Sequence, residues 1–399
     1  MKQYTLAVVT STRAEYGLLR PLLEQIQSHP AFRLALVVTG AHLSQQYGST
    51  VQEIEQDNMP IAERIPILDK AQQGSAFTAH TVAYTIQAFS DWFVSHRPDA
   101  VVVLGDRYEI FAVAQAAAMT GLPLVHISGG DVTLGAQDDY YRHCITKMAQ
   151  LHFPSCETYA RRLICMGEQP SRVVCVGGLG DENIRTMEKL TLAQLSESLQ
   201  MPLEQGYGLV TFHPETAGEA DPKEQMKQLL AAMETISKET GLQWVVTKSN
   251  ADDGGLDINA MWDKWTEEHP QWGKAFFSLG VKRYLSAMQY AAVVLGNSSS
   301  GVVETPTFGI PTVNVGRRQE GRIICDNVLC CDSQQNQIEA ALRTALSEEF
   351  RKKAAETKSP YNGGNTSQRM VQAMLEWLED PNHNAPKVFY DVPFPGQEE

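Results

Sequence analysis

The chain has 399 residues, of which 43% are hydrophobic and 20% charged, and this composition excludes a disordered protein. Its formal net charge of −14 excludes the basic surface that sequence-independent binding of nucleic acid requires. No apolar run is long enough to span a membrane, and seven cysteines without a C-x-x-C pair predict reduced thiols in a cytoplasmic protein.

Short apolar strands alternate with helices in the first half of the chain. Apolar residues recur at helical spacing from 18 to 26, and residues 78–94 and 108–119 also predict helices. Continuous apolar strands separated by helices are typical of a parallel sheet covered on both faces. The strands are predicted at 4–10, 33–40, 100–105, 122–128 and 173–178.

The same alternation restarts in the second half, after a charged, helix-forming stretch at 180–203. The strands predicted there are 206–214, 242–249, 274–280, 291–299 and 310–316. We therefore predict an α/β protein of two Rossmann-like domains, 1–185 and 186–370, that face each other across a cleft. The segment 370–399 is expected to pack back on the first domain, and its part after 380 to form an extended surface strap or to be partly disordered.

The sequence contains none of the common nucleotide, metal or serine-hydrolase motifs. No G-x-G-x-x-G follows the first strand, and no P-loop, H-E-x-x-H or G-x-S-x-G occurs. The histidines also lack the spacing of metal ligands. Any chemistry is therefore expected to use carboxylates and histidine without a tightly bound cofactor.

Polar motifs follow the predicted strands at their carboxyl ends, where open parallel sheets bind ligands. After the first strand, TSTRAEYGLL opens a helix that Ser11 or Thr12 could cap, so that Arg13 and free N–H groups face an anion. A capped helix with an exposed arginine explains this motif equally well.

The motif GDRYE places Asp106, Arg107 and Glu109 at the end of an apolar strand. A structural ion pair is the ordinary explanation of an adjacent Asp and Arg, but the strand-end position favours a functional site. We interpret Asp106 as an acid–base group that Arg107 and Glu109 hold in place.

The longer motif HISGGDVTLGAQDDYYRH follows the next strand. It supplies two glycines that permit close backbone approach, and a group of charged residues, Asp131, Asp138, Asp139, Arg142 and His143. A capped turn followed by a helix with charge pairs would need fewer carboxylates, so we interpret this segment as a catalytic loop.

In the second half, Pro214 of FHPET ends a strand and turns His213 and Glu215 toward the cleft. The motif LGNSSSGVVETPTFGIP has three serines and a glycine before a helix that is expected to start near Val302. Hydroxyl and N–H groups in this arrangement are typical of a phosphate site without a P-loop lysine. The residues assigned to phosphate and ribose are Ser298, Ser299, Ser300, Gly301 and Glu304, with counter-charge from Arg318 and Arg322.

Together these motifs resemble the UDP-N-acetylglucosamine 2-epimerase family, whose members have a GT-B-like two-domain fold. T-x-T-R-A-E-Y-G, G-D-R-Y-E, H-I-x-G-G-D, R-H-x-I-T-K, H-P-E-T and G-N-S-S-S-G-x-x-E occur in the family's order and rough spacing, from residue 10 to residue 327. The details are similar to the hydrolysing branch of bacterial sialic-acid and legionaminic-acid pathways, whose enzymes release UDP and a free 2-epimerised amino sugar.

The resemblance implies a reaction through a glycal. A base removes the C2 proton while UDP leaves C1, water then adds at C1, and a second group returns a proton to the other face of C2. Carboxylate or histidine groups must flank the sugar, and cations and N–H groups must stabilise departing UDP. This chemistry needs no metal and no nicotinamide, and the expected ligand is a UDP-sugar.

The family's residues are carried over by position. Asp106, Asp131 and either Asp138 or Asp139 resemble the catalytic carboxylates, with His213 near the leaving group. Many members have Glu two positions after the histidine of HISGGD, where this chain has Ser128, so we assign that role to Asp131. Substrate binding is assigned to Arg13, Arg107, Glu109, His143, Glu215, Ser298, Ser299, Ser300, Gly301, Glu304, Arg318 and Arg322.

The expected substrate is UDP-N-acetylglucosamine, giving N-acetylmannosamine, and several alternatives stay open. UDP-2,4-diacetamido-2,4,6-trideoxyglucose would need the same motifs. A non-hydrolysing epimerase is disfavoured by the GDRYE and HISGGD variants, and a GT-B glycosyltransferase or a non-catalytic UDP-sugar sensor would need fewer carboxylates. The family implies a homodimer or homotetramer, without a membrane or nucleic-acid partner.

Overall fold

The computed structural model describes residues 2–70, 74, 76–215, 221–249 and 254–393. The chain divides into two compact units. The first comprises Met1–Asp131, Asp138–Asn183 and Pro360–Glu399, and the second comprises Val132–Gln137 and Ile184–Ser359. The short segment 132–137, which we had expected in the first domain, therefore groups with the second unit.

The described residues form twelve strands. In chain order they are β1 (Tyr4–Thr10), β2 (Phe32–Thr39), β3 (Ile61–Ile65), β4 (Ala100–Leu104), β5 (Leu124–Ile127), β6 (Leu151–Phe153), β7 (Tyr207–Thr211), β8 (Gln243–Thr247), β9 (Gly273–Phe276), β10 (Val293–Gly296), β11 (Thr312–Val315) and β12 (Val328–Cys331).

Helices connect these strands. They are α1 (Arg13–Ser28), α2 (Val51–Gln56), α3 (Phe77–His96), α4 (Tyr108–Met119), α5 (Asp138–Met148), α6 (Glu157–Cys165), α7 (Leu179–Thr186), α8 (Leu192–Leu199), α9 (Pro222–Thr240), α10 (Gly255–Glu268), α11 (Gly280–Tyr290), α12 (Ser300–Val303), α13 (Thr305–Phe308), α14 (Gln335–Leu346), α15 (Glu348–Ala355) and α16 (Thr366–Glu379). No helix in the described ranges is long and apolar enough to cross a membrane.

The first unit contains a six-stranded parallel sheet in the order β3-β2-β1-β4-β5-β6. All five residues of β4 are buried, because helices cover both faces of the sheet. The core on one side includes Leu19 and Leu22 of α1 together with Met370, Met374 and Trp377 of α16. The α16 helix therefore completes the core of the first unit although it follows the second unit in sequence.

The second unit also contains a six-stranded parallel sheet, in the order β12-β11-β10-β7-β8-β9. Its core is built from α9, α10 and α14, with Trp244 and Trp262 fully buried. In both sheets the strand order reverses beside the first strand of the unit, which is the position where open α/β sheets bind ligands.

Several predicted elements are wrong in detail. Residues 173–178 are not a strand, since only Val173 forms a bridge, to His152, and Gly177 turns with a φ of +90°. Predicted strands 206–214 and 291–299 end earlier, at Thr211 and Gly296, and the helix expected near Val302 begins at Ser300. Strands β3, β6 and β12 were missed, because they lie at or next to sheet edges and are short.

Candidate active site

The loop after β1 is closed by the side chain of Glu15. The backbone N–H and the hydroxyl of Ser11 donate to this carboxylate at 2.7 and 2.8 Å, while Thr12 caps α1 by accepting from the Glu15 N–H at 3.4 Å. Burial raises the pKa of Glu15 to about 7, against the opposing effects of the Ser11 N–H and Arg107. The capping prediction is thus confirmed for Thr12, and the half-buried Arg13 starts the helix.

The loop after β4 turns at Gly105, whose φ is +82°, and leads into α4. Arg107 donates to Glu109 from Nε at 3.2 Å and from Nη2 at 3.3 Å, and both side chains are buried. Such a forked pair satisfies a buried carboxylate that would otherwise be costly to ionise. This pair therefore stabilises the start of α4, immediately after Asp106 in the sequence.

Asp106 is held by Arg142, which comes from α5. Arg142 donates to Asp106 Oδ2 from Nε at 2.8 Å and also from Nη2. Its Nη1 donates to the Asp131 carbonyl and to Asp139 Oδ1, each at 3.1 Å. Although Arg142 is only 1% exposed, the flanking carboxylates keep it charged and raise its pKa against the effect of burial. One guanidinium thus contacts the three places where we predicted catalytic carboxylates.

A buried histidine, His126, connects the loop that carries Asp106 to the α5 helix that carries Arg142. His126 of β5 is fully buried, with Nε2 2.9 Å from the Gly105 carbonyl and Nδ1 3.2 Å from the Thr146 hydroxyl. Because a carbonyl can only accept, Nε2 carries the proton, and Nδ1 accepts from Thr146. Burial lowers the pKa of His126 to about 3, so the ring stays neutral and ties the Gly105 turn to α5.

The α5 helix also presents His143 beside Asp139. The His143 Nε2 lies 3.6 Å from Asp139 Oδ2, and the two residues are one helical turn apart. Burial lowers the pKa of His143, although the nearby Asp139 opposes the shift. Asp139 therefore joins the Arg142 cluster through its own carboxylate. Its neighbour Asp138 is half-buried at the start of α5.

In the second unit, Asn297 fixes the backbone of His213. Its side-chain oxygen accepts from the His213 N–H at 2.7 Å, and its amide donates to the His213 carbonyl at 2.8 Å. Asn297 is fully buried, so this two-way bridge holds the loop after β7 against the loop after β10. The His213 ring lies 3.0 Å from the Ser249 hydroxyl through Nδ1, and this contact orients the imidazole.

The serine segment follows β10. Gly296 has a φ of +125°, and a Cβ there would meet the Thr211 carbonyl oxygen at 2.0 Å, so only glycine allows the strand to turn. The hydroxyls of Ser298 and Ser300 lie 3.2 Å apart, and Tyr284 contacts Ser300 at 2.5 Å. Ser299 precedes α12, and Gly301 lies within that helix.

Glu304 lies at the carboxyl end of α12. Within the described part of the chain no hydrogen-bond or ion-pair partner reaches its carboxylate, and burial raises its pKa to about 7. An uncompensated carboxyl group of this kind is a strong acceptor for ligand hydroxyls once it is ionised.

The arginine segment 316–322 packs against the Asn297 loop. Arg318 and Gln319 donate to the Asn297 carbonyl at 3.3 and 2.8 Å, and the Arg317 N–H donates to Glu215 at 2.6 Å. Glu215 thus ties the loop after β7 to this segment. The half-buried Arg322 lies at the end of the same segment.

Residues 132–137 also dock on the arginine segment. The Leu134 N–H donates to the Glu320 carbonyl at 2.9 Å, and Gly135 lies so close to the backbone of Arg317 that a Cβ would meet its carbonyl oxygen at 2.3 Å. The chain therefore leaves the first unit directly after Asp131 and returns to it at Asp138.

The predicted site residues thus fall into two sets. The first unit brings together Asp106, Asp131 and Asp139 around Arg142. The sequence places Arg142 in the predicted catalytic loop, but we gave it no role of its own, although its position three residues after Asp139 is a usable signal. The second unit brings together His213, Glu215 and the serine and arginine segments around Asn297. Thr216 of the HPET motif lies outside the described residues. The catalytic and binding roles assigned to these residues stay predictions.

Comparison with known proteins gives consistent matches over most of the chain. The family model described as UDP-N-acetylglucosamine 2-epimerase matches residues 24–375. The hydrolysing GDP/UDP-N,N'-diacetylbacillosamine 2-epimerase of Campylobacter jejuni is 39% identical, over 88% of this chain and 90% of that protein. The polysialic acid biosynthesis protein P7 of Escherichia coli is 36% identical, over 96% and 97%.

The fold also matches solved structures. The UDP-GlcNAc 2-epimerase from Neisseria meningitidis, crystallised with UDP-GlcNAc, superimposes with a TM-score of 0.79 at 18% identity, covering 93% of this chain and all of that one. At this identity the likeness shows the fold alone. The prediction of a GT-B-like α/β fold with two Rossmann-like domains is confirmed.

Proposed function

Because this chain belongs to the UDP-N-acetylglucosamine 2-epimerase family, we propose that it is a hydrolysing 2-epimerase that converts a UDP-2-acetamido sugar into UDP and the free 2-epimer. The observation that carries the proposal is the contact of one buried guanidinium, that of Arg142, with Asp106, Asp139 and the backbone of Asp131. Three acid–base candidates around one fixed cation suit a reaction with two proton transfers.

In the first step a carboxylate removes the C2 proton. The C2 electron pair forms the C1–C2 double bond, and the C1–O bond breaks with its electron pair passing to the β-phosphate of UDP. We assign the carboxylate chemistry to Asp106, Asp131 and Asp139. The Arg142 guanidinium holds Asp106 in a fixed position, and such preorganisation lowers the barrier to proton transfer.

The second step adds water across the glycal double bond. The water oxygen bonds to C1 and keeps one hydrogen as the C1 hydroxyl, while its other proton passes to a carboxylate. The electron pair of the double bond takes a proton from a carboxylic acid at C2, on the face opposite to that of the original proton. Two acid–base groups are therefore needed for C2, which agrees with the number of carboxylates that Arg142 organises.

UDP is assigned to the residues of the second unit. The hydroxyls of Ser298 and Ser300 suit phosphate oxygens, and Arg318 and Arg322 would offset the charge of the departing diphosphate. We assign His213, whose backbone is fixed by Asn297, to the leaving group, and the Glu304 carboxylate to the ribose hydroxyls.

Two substrates are candidates. UDP-N-acetylglucosamine is the one expected from the sequence motifs. UDP-2,4-diacetamido-2,4,6-trideoxyglucose, which is UDP-N,N'-diacetylbacillosamine, is supported by the 39% identity to the Campylobacter jejuni enzyme. The two differ at C4 and C6, away from the bonds that change in the reaction.

Proton NMR in heavy water tests the proposal with each substrate in a separate tube. The expected products are UDP and a free manno-configured sugar with deuterium at C2, and the faster tube identifies the preferred substrate. Asp106→Asn serves as the control for contaminating activity, with circular dichroism to verify its fold. Substrates that bind but stay unchanged would overturn the proposal, and release of UDP without deuterium at C2 would indicate simple hydrolysis instead.

A further inference from the structure

The C-terminal end of α5 is bound by a lysine from the distant strap that follows α16. The Lys387 Nζ donates to the carbonyls of Thr146, Lys147 and Ala149 at 2.9, 3.1 and 2.8 Å. The last carbonyls of a helix have no partner within the helix, and a cation there is favoured by the helix dipole. Lys387 therefore acts as a cap supplied from 240 residues away in sequence.

The same ammonium is anchored by a buried carboxylate. Glu168 is 1% exposed, and Lys387, Lys147 and His152 lie 2.5, 2.7 and 2.8 Å from its oxygens. Burial opposes ionisation of Glu168, but these three partners outweigh it and lower its pKa to about 2. A buried carboxylate with this set of partners holds Lys387 in one position.

The strap around Lys387 is also ordered by other contacts. The Tyr390 N–H donates to the Gly167 carbonyl at 2.9 Å, and Gln169 donates to the Val388 carbonyl at 3.3 Å. The Phe389 ring covers Gly167 and lies 4.9 Å from the Lys147 ammonium. These contacts fix the backbone on both sides of Lys387.

The α5 helix links Lys387 to the carboxylates. Asp139, Arg142, His143 and Thr146 recur at the spacing of one helical face, so they move together if the helix shifts. Arg142 reaches Asp106, and the Thr146 hydroxyl reaches His126, which holds the Gly105 carbonyl. The carbonyl of the same Thr146 is one of the three that Lys387 binds.

We infer that Lys387 is a positioning residue, whose ammonium clamps the C-terminal end of α5 and thereby fixes Arg142 and Asp139 against Asp106. Lys387 touches none of the proposed reacting groups, and it acts through the helix. The inference rests on the proposed function for its kinetic readout, while the clamp itself can be measured without any substrate.

The test uses the full chain with Lys387→Met, which removes the charge and the N–H donors but keeps the apolar stem, and Lys387→Arg, which restores both. Lys352→Met is the matched control, because this lysine is 75% exposed on α15 in the second unit. We expect Lys387→Met to lower kcat about tenfold with KM within about twofold, since geometry and not binding is lost. Lys387→Arg should recover kcat to within about threefold of the original chain, and Lys352→Met should change neither constant.

Amide hydrogen exchange gives the independent readout. Lys387→Met should speed exchange in peptides covering 138–149 and leave a peptide from α9 unchanged. If Lys387→Met does not fold, Lys387→Gln, which keeps a donor but no charge, takes its place. Unchanged exchange in α5 or an unchanged kcat overturns the inference, as does an arginine variant as impaired as the methionine variant. If the original chain turns over no UDP-sugar, the proposed function fails. The exchange result still shows whether Lys387 stabilises the C-terminal end of α5.

Discussion

The Arg142 guanidinium donates to Asp106 Oδ2 from Nε at 2.8 Å across a sequence separation of 36 residues. The same guanidinium is almost completely buried and also binds Asp139 Oδ1 at 3.1 Å. A forked cation that binds two carboxylates fixes both their positions and their directions.

Replacing Arg142 should affect catalysis more than substrate binding. In Arg142→Lys the charge remains, but a single ammonium cannot reproduce the fork that joins Asp106 and Asp139. We expect kcat to fall about 100-fold with a change in KM below about threefold. Steady-state kinetics of UDP release measure both constants, and a lysine variant with more than about half of the original kcat would contradict the role of the fork.

Asp139 and Asp138 should differ strongly although they are neighbours. Asp139 contacts Arg142 and lies beside His143, so Asp139→Asn should lower kcat by at least about 100-fold. Asp138→Asn is the matched control, with an expected loss below about fivefold. Equal losses in the two variants, both verified as folded by thermal unfolding, would show that the contacts of Asp139 do not identify the acid–base group.

Binding of UDP should strengthen as the pH rises through the pKa of Glu304. Burial raises this pKa to about 7, and only the ionised carboxylate is a full acceptor for ribose hydroxyls. Calorimetric titration should therefore give a Kd for UDP about fivefold to tenfold lower at pH 8 than at pH 6. In Glu304→Gln the Kd should not differ between the two pH values in this way. The phosphates of UDP change protonation equally in the titrations of both proteins, so the variant corrects for that effect.

The same group should affect stability with a defined sign. The pKa of Glu304 in the folded protein, about 7, is above the 4.5 of an ordinary glutamate, so the folded protein binds more protons between these two values than the unfolded chain does. The free energy of unfolding contributed by Glu304 therefore falls as the pH rises from about 4.5 to about 7. Urea unfolding of the original chain and of Glu304→Gln at pH 5 and pH 8 should show a smaller fall in the variant, and identical pH dependence would argue against the raised pKa.

Gly296 should be among the least replaceable glycines. A Cβ at this position would lie 2.0 Å from the Thr211 carbonyl oxygen, and the φ of +125° is unfavourable for other residues. Gly121 is the matched control, because it has a φ of +71° but no atom within 4 Å of its Cβ position. We expect Gly296→Ala to cost about 3 kcal/mol or more and Gly121→Ala about 1 kcal/mol in urea unfolding. Equal costs would mean that the backbone conformation, and not the close approach, dominates.

The position of Asp106 was predictable because its signal is local. Five buried apolar residues end at Gly105, and a polar group that follows such a strand lies at the carboxyl edge of the sheet. Its contact with Arg142 was not predictable, since no periodicity connects residues 106 and 142. The contact depends on the register that places His126 beside Val103, and on the direction in which α5 leaves the following loop.

The missed strands have a similar physical reason. Central strands such as β1 and β4 are buried on both faces and show continuous apolar runs, whereas β3 at a sheet edge has the mixed sequence IAERI. The assignment of 132–137 to the second unit could not be read from the sequence either. It depends on the close approach of Gly135 to the backbone of Arg317, and this tertiary contact leaves no pattern in the local sequence.

The position of α16 has a consequence for how the protein is made. Met370, Met374 and Trp377 belong to the core of the first unit, yet the ribosome synthesises them only after all of the second unit. Domains generally fold in the order in which they leave the ribosome, but here the unit that starts first must wait for the other before its core can close. During that interval Leu19 and Leu22 of α1 lack their neighbours from α16, and the nascent chain presents an apolar surface that the finished protein does not have.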